Sequence, residues 1–182
     1  MEFSATQIPD IIVVDPVVYE DARGFFMETW QEKKFRAAGI DAKFVQDSHS
    51  RSSFGTLRGL HYQVSQAQGK LVRVIHGEVF DVAVDIRKSS PTFGRWVGEV
   101  LSAGNRRLMW IPPGFAHGFL VMSEIADFEY RMTDYYAPEH ERSIRWDDPD
   151  LAISWPLAEG QEPLLSKKDE AGVFLNDAEV YA

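Results

Sequence analysis

The chain has 182 residues, enough for one domain with a substantial core. Its 45% hydrophobic and 13% aromatic content exclude a disordered chain, and its formal net charge of -9 disfavours general binding to nucleic acid or acidic membranes. The absence of cysteine removes disulfides, thiolate nucleophiles and cysteine-based zinc sites together.

The opening segment, "MEFSATQIPDIIVVDPVVYED", has no basic stretch followed by a long apolar run. Neither a signal peptide nor a membrane span is expected, and a cytoplasmic chain is the default. Within it "IIVVDPVVYED" predicts short strand pieces interrupted by Pro16, and "DARGFF" predicts a turn. "METWQEKKFRAAGI" predicts a short helix stopped near Gly39. In "KLVRVIHGEVFDVAVDIR" two β-rich runs flank His76-Gly77-Glu78, the signal of a hairpin. On the second run Phe80, Val82, Val84 and Ile86 alternate with Val79, Asp81, Ala83 and Asp85. That pattern predicts a strand with one dry and one mixed face. "RWVGEVLS", "LMWIPPGFAHGFLVMS" and "DFEYRMTDYY" add further short strands between Gly- and Pro-containing turns. Many strands at short spacing point to an antiparallel β-sandwich or barrel. The tail from about Pro138 is punctuated by proline and is expected to wrap over the β core. No repeat or linker-like break divides residues 1–182, so a single domain is expected.

Of the five histidines, two stand among glycines and aromatics. His61 lies in "RGLHYQ" and His117 in "PPGFAHGF", whereas His76 falls in a turn and His49 and His140 in polar surroundings. No His-x-His pair occurs and position 63, two after His61, is glutamine, so no metal site is expected. Acid–base chemistry fits better. A histidine with a carboxylate partner accepts protons near neutral pH, and a tyrosine returns one from another side. A lysine or second histidine stabilises developing negative charge on oxygen. His61, Tyr130, Lys70 and His117 are candidates for these roles, although composition alone does not bring them together. Arg23 and Arg58 have the planar fork that suits a diphosphate. Strict alternation puts Arg58 on the opposite strand face from His61, with Gly59 between them permitting a bend. No Gly-rich strand-to-helix phosphate loop is present, so a dinucleotide cofactor is not expected.

Six strings taken in order resemble the dTDP-4-dehydrorhamnose 3,5-epimerase family: "DARGFFMETW", "RGLHYQ", "GKLVRVIHGEVFDVAVDIRKSSPTFG", "IPPGFAHGF", "DYYAPEHERSIRWDDPDLAISWP" and "LLSKKDEAG". Together they run over nearly the entire chain. The resemblance implies an all-β fold, an antiparallel cupin-like jelly roll with short peripheral helices. It also implies a homodimer, no metal, no cofactor, and a dTDP-4-keto-6-deoxyhexose as substrate. On matching positions His61 would be the proton acceptor, Asp169 its orienting carboxylate and Tyr130 the opposing donor. Lys70 and His117 would lie near the sugar ketone, and Arg58 would hold the diphosphate. Arg23, Phe26 and Glu28 would reach the nucleotide, and Gln46, Tyr136, Glu141 and Lys168 would line the same pocket. Position 48 is Ser48 where the family pattern usually has asparagine, which alters a candidate substrate contact. A single-site epimerase or ketoisomerase on the same scaffold remains open, as does a metal-binding or non-catalytic cupin module.

Overall fold

The computed structural model describes residues 1–182. In chain order the first strands are β1 (Glu2–Ala5), β2 (Ile12–Asp15), β3 (Val18–Asp21) and β4 (Gly24–Met27), followed by helix α1 (Glu32–Ala37). Then come β5 (Gln46–Ser53), β6 (Leu57–Gln63), β7 (Lys70–His76), β8 (Glu78–Asp85) and β9 (Trp96–Ser102). The last are β10 (Leu108–Ile111), β11 (Phe115–Val121), β12 (Ile125–Met132) and β13 (Glu141–Ser143), with helix α2 (Lys167–Glu170) near the end.

The strands form a six-stranded sheet in the order β1-β2-β10-β7-β12-β5 and a five-stranded sheet in the order β13-β6-β11-β8-β9. Strands β3 and β4 make a separate two-stranded ribbon. This is the jelly-roll arrangement that the family resemblance implied, and a sandwich of the kind the strand-rich pattern pointed to. Period-2 alternation explains how the sheets meet, because odd and even residues of a strand face opposite ways. Val72 and Val74 of β7 and Phe128 of β12 pack against Val79, Ala83, Phe115 and Phe119 from the other sheet. Phe119 and Phe128 stack with ring centroids 4.4 Å apart and planes 7° from parallel, worth about 0.5–1.5 kcal/mol beyond area burial.

Two expectations need correcting. The runs around Gly77 are both strands, but they do not pair as a hairpin. β7 lies between β10 and β12 in one sheet, whereas β8 lies between β11 and β9 in the other. Gly77 turns with φ +78° so close to Ile125 that a Cβ would meet its carbonyl oxygen at 2.1 Å. The chain thereby crosses between sheets, with the Glu78 N–H donating to Ser123 Oγ at 2.8 Å. The helix is also shorter than the string suggested, since Met27 ends β4 and α1 begins only at Glu32. Both faces of β8 are covered. Val79 and Ala83 face the inter-sheet core, while Val82, Val84 and Ile86 of the dry face lie beneath the tail against Ile144, Leu151 and Leu175.

The tail wraps over the β core as expected, and the turn after β8 is locked. Asp85 is fully buried and accepts from Arg87, Ser90 and Thr92. Burial pushes its carboxyl up, but these donors outweigh that and hold it at about 2. No helix is long and apolar enough to cross a membrane.

Another tight backbone approach joins β6 to β11. A Cβ on Gly59, where φ is +126°, would stand 2.5 Å from Gly118 Cα and 2.7 Å from the His117 carbonyl oxygen. Gly59→Ala is therefore expected to cost about 1–3 kcal/mol or more. Urea unfolding checks this, and a midpoint equal to that of the parent would refute the packing argument.

Candidate active site

The register between β6 and β11 decides which side chains share a face. His117 pairs with His61 and Phe119 pairs with Arg58, so two steps along β11 match three along β6. That extra residue is a β-bulge, and it reverses the alternation beyond it. Arg58 and His61 therefore face the same interior, contrary to strict alternation. Arg58 Nε crosses to the other sheet and donates to Ser52 Oγ at 3.0 Å.

His61 Nε2 is 2.6 Å from Asp169 Oδ1, and the Gly59 N–H donates to the same oxygen at 3.1 Å. Asp169 sits on α2, a helix capped by Ser166, whose hydroxyl donates to Asp169 Oδ2 at 2.5 Å. Burial pushes the Asp169 carboxyl up, but hydrogen bonds from His61, Ser166 and Gly59 overcome it and hold the group well below the usual carboxylate range. Burial lowers His61, as do the charges of Lys168 and Lys70, against the upward pull of Asp169. The net direction is down, so the imidazole is neutral and able to accept a proton at pH 7. With Nε2–H given to the ionised Asp169, Nδ1 is the accepting nitrogen.

Tyr130 approaches from β12, on the opposite sheet. Its ring meets Phe128 at 4.7 Å and stands edge-on to His117 at 6.2 Å. Burial pushes its phenol up to about 12, which leaves it a proton donor across the neutral range. Lys70 begins β7 on the same sheet as Tyr130 and extends Nζ to 3.4 Å from the His61 carbonyl oxygen. Burial lowers its ammonium to about 8, partly offset by Asp81 and Glu141. His117 Nε2 contacts Asp81 Oδ1 at 2.8 Å, with both residues buried.

Around the rim, Glu141 pairs with Lys168 and accepts from the Tyr136 hydroxyl at 2.8 Å. Gln46 Oε1 accepts from the Tyr136 N–H at 2.9 Å, and its amide lies 3.4 Å from Ser48 Oγ. Ser48, Ser50 and Ser52 alternate along β5 opposite Tyr130, Phe128 and Ala126, which gives this wall a polar inner face. Ser50 Oγ is buried and lies beside the Tyr130 phenol. β5 did not stand out in the sequence because serines replace the apolar alternation. Asp81 was not singled out either; its signal was an acid at the parity of Val79 and Ala83.

The structure thus gathers His61, Asp169, Tyr130, Lys70, His117, Arg58, Gln46, Ser48, Tyr136, Glu141 and Lys168 about one region. It does not bring in Arg23, Phe26 or Glu28 from the same chain. Arg23 is ion-paired to Asp21 on the exposed ribbon, and Glu28 to Lys34. Phe26 is 71% exposed, and Phe25 beside it packs under Arg106 at 4.5 Å. The gathered groups can remove a proton from one side of a bound carbon acid, steady an oxyanion and return a proton from the facing wall.

A sequence model of the family described as dTDP-4-dehydrorhamnose 3,5-epimerase matches residues 5–177. The dTDP-4-dehydrorhamnose 3,5-epimerase of Pseudomonas aeruginosa is 58% identical over 182 residues, covering 100% of this chain and 99% of that protein. A dTDP-6-deoxy-D-glucose-3,5-epimerase from Legionella pneumophila, solved in complex with dTDP-4-keto-L-rhamnose, superposes with a TM-score of 0.94 at 56% identity. That alignment covers 98% of this chain and 94% of the Legionella chain. A dTDP-4-dehydrorhamnose 3,5-epimerase structure from Elizabethkingia anophelis gives a TM-score of 0.92 at 45% identity, covering 97% of both chains.

The electrostatics of the His61–Asp169 pair make a direct prediction. NMR titration of the His61 ring in the ligand-free protein should show a midpoint below 6.5, and Asp169→Asn should lower it further by removing the carboxylate that favours imidazolium. A midpoint above 6.5 in the parent protein would contradict the dominance of burial.

Proposed function

The chain belongs to the dTDP-4-dehydrorhamnose 3,5-epimerase family, isomerases that act on a sugar nucleotide, and on that premise we propose how its residues carry the reaction. The carbons on both sides of the ketone of dTDP-4-dehydro-6-deoxy-D-glucose are inverted, giving dTDP-4-dehydro-L-rhamnose. A proton beside a ketone becomes acidic enough to remove only when the enolate oxygen is stabilised. His61, oriented by Asp169, takes that proton at Nδ1. Lys70 and His117 face the developing oxyanion. Tyr130 returns a proton from the facing wall, so the centre is inverted. Once His61 has released its proton to solvent and the Tyr130 phenolate has regained one from it, the same groups repeat the cycle at the second flanking carbon.

What supports this reading above all is that the imidazole and the phenol belong to facing sheets of one interior, with Lys70 reaching from one sheet to the backbone of the other. Arg58 is assigned to the diphosphate, and Gln46, Ser48, Tyr136, Glu141 and Lys168 to the walls of the substrate pocket. Arg23, Phe26 and Glu28 are assigned to the nucleotide end of a second copy's site. The exposure of Phe26 (71%) and Tyr19 (65%) on the ribbon supports that assignment. The working unit is read as a cytoplasmic homodimer with one catalytic domain, residues 1–182, per chain.

In heavy water, NMR of the substrate should show deuterium at both ring positions flanking the ketone. Entry at one position only would select a single-site epimerase, and no entry would remove the proposal. His61→Ala is expected to slow exchange by about 10²–10⁴-fold. Tyr130→Phe should leave exchange while impairing inversion.

The ribbon assignment is tested separately. Light scattering should give twice the chain mass of 20.7 kDa. Phe26→Ala should raise KM for the nucleotide sugar about tenfold, in line with about 1–3 kcal/mol per stacked base, with kcat little changed. A monomer with an unaltered KM would reject the assignment.

A further inference from the structure

We propose that Asp81, which lies outside the reacting set, is a positioning residue that keeps the oxyanion side of the site cationic, anchoring the His117 ring through one oxygen and presenting unshared negative charge to Lys70 with the other. The inference deepens the reading above and rests on Lys70 and His117 serving the ketone oxygen.

Asp81 stands on β8 between Val79 and Ala83, facing the inter-sheet core. Its neighbours in register are Phe119 on β11 and Glu99 on β9. A carboxylate on such a face is costly unless its lone pairs are matched. Oδ1 is matched by His117 Nε2 at 2.8 Å, but Oδ2 is buried with no hydrogen-bond partner. A purely structural acid–imidazole pair gains nothing from leaving that oxygen bare. It is accounted for if the charge acts on a nearby cation rather than through a hydrogen bond.

Lys70 is that cation. Burial works against its ammonium, and Asp81 is the larger of the two acidic charges that favour it; the other is Glu141, and Lys168 opposes it. Glu141 on β13 is already engaged by Lys168 of α2 and by Tyr136. The remaining titratable or charged groups are His61 and Arg58 from β6, His117 from β11, Tyr130 from β12, Glu99 from β9, whose charge acts on Arg107, and Asp169 from α2, whose carboxylate is taken by His61, Ser166 and Gly59. Asp81 is therefore the acid whose charge remains available to Lys70. The same residue sets the other donor. Because His117 directs Nε2 to the carboxylate, Nδ1 has no partner within the chain and donates to a ligand oxygen when the ring carries a proton at both nitrogens, the form whose charge Asp81 faces.

Asp81→Asn keeps an oxygen for His117 but removes the charge, and two readouts test it. In ligand-free protein, NMR titration of the Lys70 ammonium should show a midpoint lower than the parent's, which is expected at about 8. In turnover, the alkaline limb of the kcat profile, where charged Lys70 is lost as pH rises, should move the same way. A shift of about one unit leaves roughly a tenth of Lys70 charged at pH 8 instead of half, so kcat there should fall about fivefold. KM should change less than kcat, and Asp81→Glu should restore the limb by restoring the charge. If the amide variant does not fold, Asp81→Ser is measured by the same readouts with the same expected direction. An unmoved Lys70 midpoint, or a uniform loss of kcat with the limb in place, overturns the proposal. If the parent protein exchanges no substrate deuterium, the catalytic reading falls, while the ligand-free titration still decides whether Asp81 governs the charge of Lys70.

Discussion

Gly59 and Gly118 meet where β6 and β11 cross, and neither position has room for a side chain: a Cβ on Gly118 would lie 2.7 Å from the Arg58 carbonyl oxygen. This contact lies within the bulge that moves Arg58 onto the same face as His61. Without the extra residue, alternation would send the guanidinium out of the interior. The Gly59 N–H also donates to Asp169, so the bent backbone touches the carboxylate that orients the imidazole. A single steric condition thus links the cation, the base and the acid behind the base.

The interior holds charge where a β-sandwich ordinarily holds only apolar side chains. Asp169 and Asp81 each have one imidazole, and Glu141 has Lys168. Buried ion pairs are weak contributors to stability, because desolvation cancels much of their attraction. Their arrangement here is better understood through what they leave unfinished, namely a neutral nitrogen on His61, an ammonium on Lys70 and an open nitrogen on His117. The chain carries a formal net charge of -9, yet Arg58, Lys70 and Lys168 meet at this one place. Low-dielectric walls around such a group concentrate the positive potential that an anionic sugar nucleotide encounters.

Most strands were legible because apolar residues recur at every second position, and that periodicity survives burial. β5 was not, since "QDSHSRSS" presents serines inward to the site and loses the apolar signal for that reason. The turn at Gly77 was legible as a turn but not as a crossing. Local residues report that the chain reverses, whereas the partners of β7 and β8 come from much later segments. His61, Lys70, His117 and Tyr130 stood out through their types and through family resemblance, and the fold brings them to one interior. The face occupied by Arg58 was not legible, because it depends on a contact between residues far apart in sequence. Asp81 was hidden among valines and alanines, and only its pairing with His117 reveals it.

Tyr130 is wedged against Phe128, Phe119 and His117, and the first two of these are the stacked rings that bind the sheets together. The tilt of the phenol is therefore inherited from the same packing that gives the sandwich its cohesion. A change at Phe119 or Phe128 made for thermal tolerance would re-aim the hydroxyl as well. Handedness of the product and firmness of the scaffold are, at this spot, properties of one cluster of rings, and neither can drift far in evolution without the other.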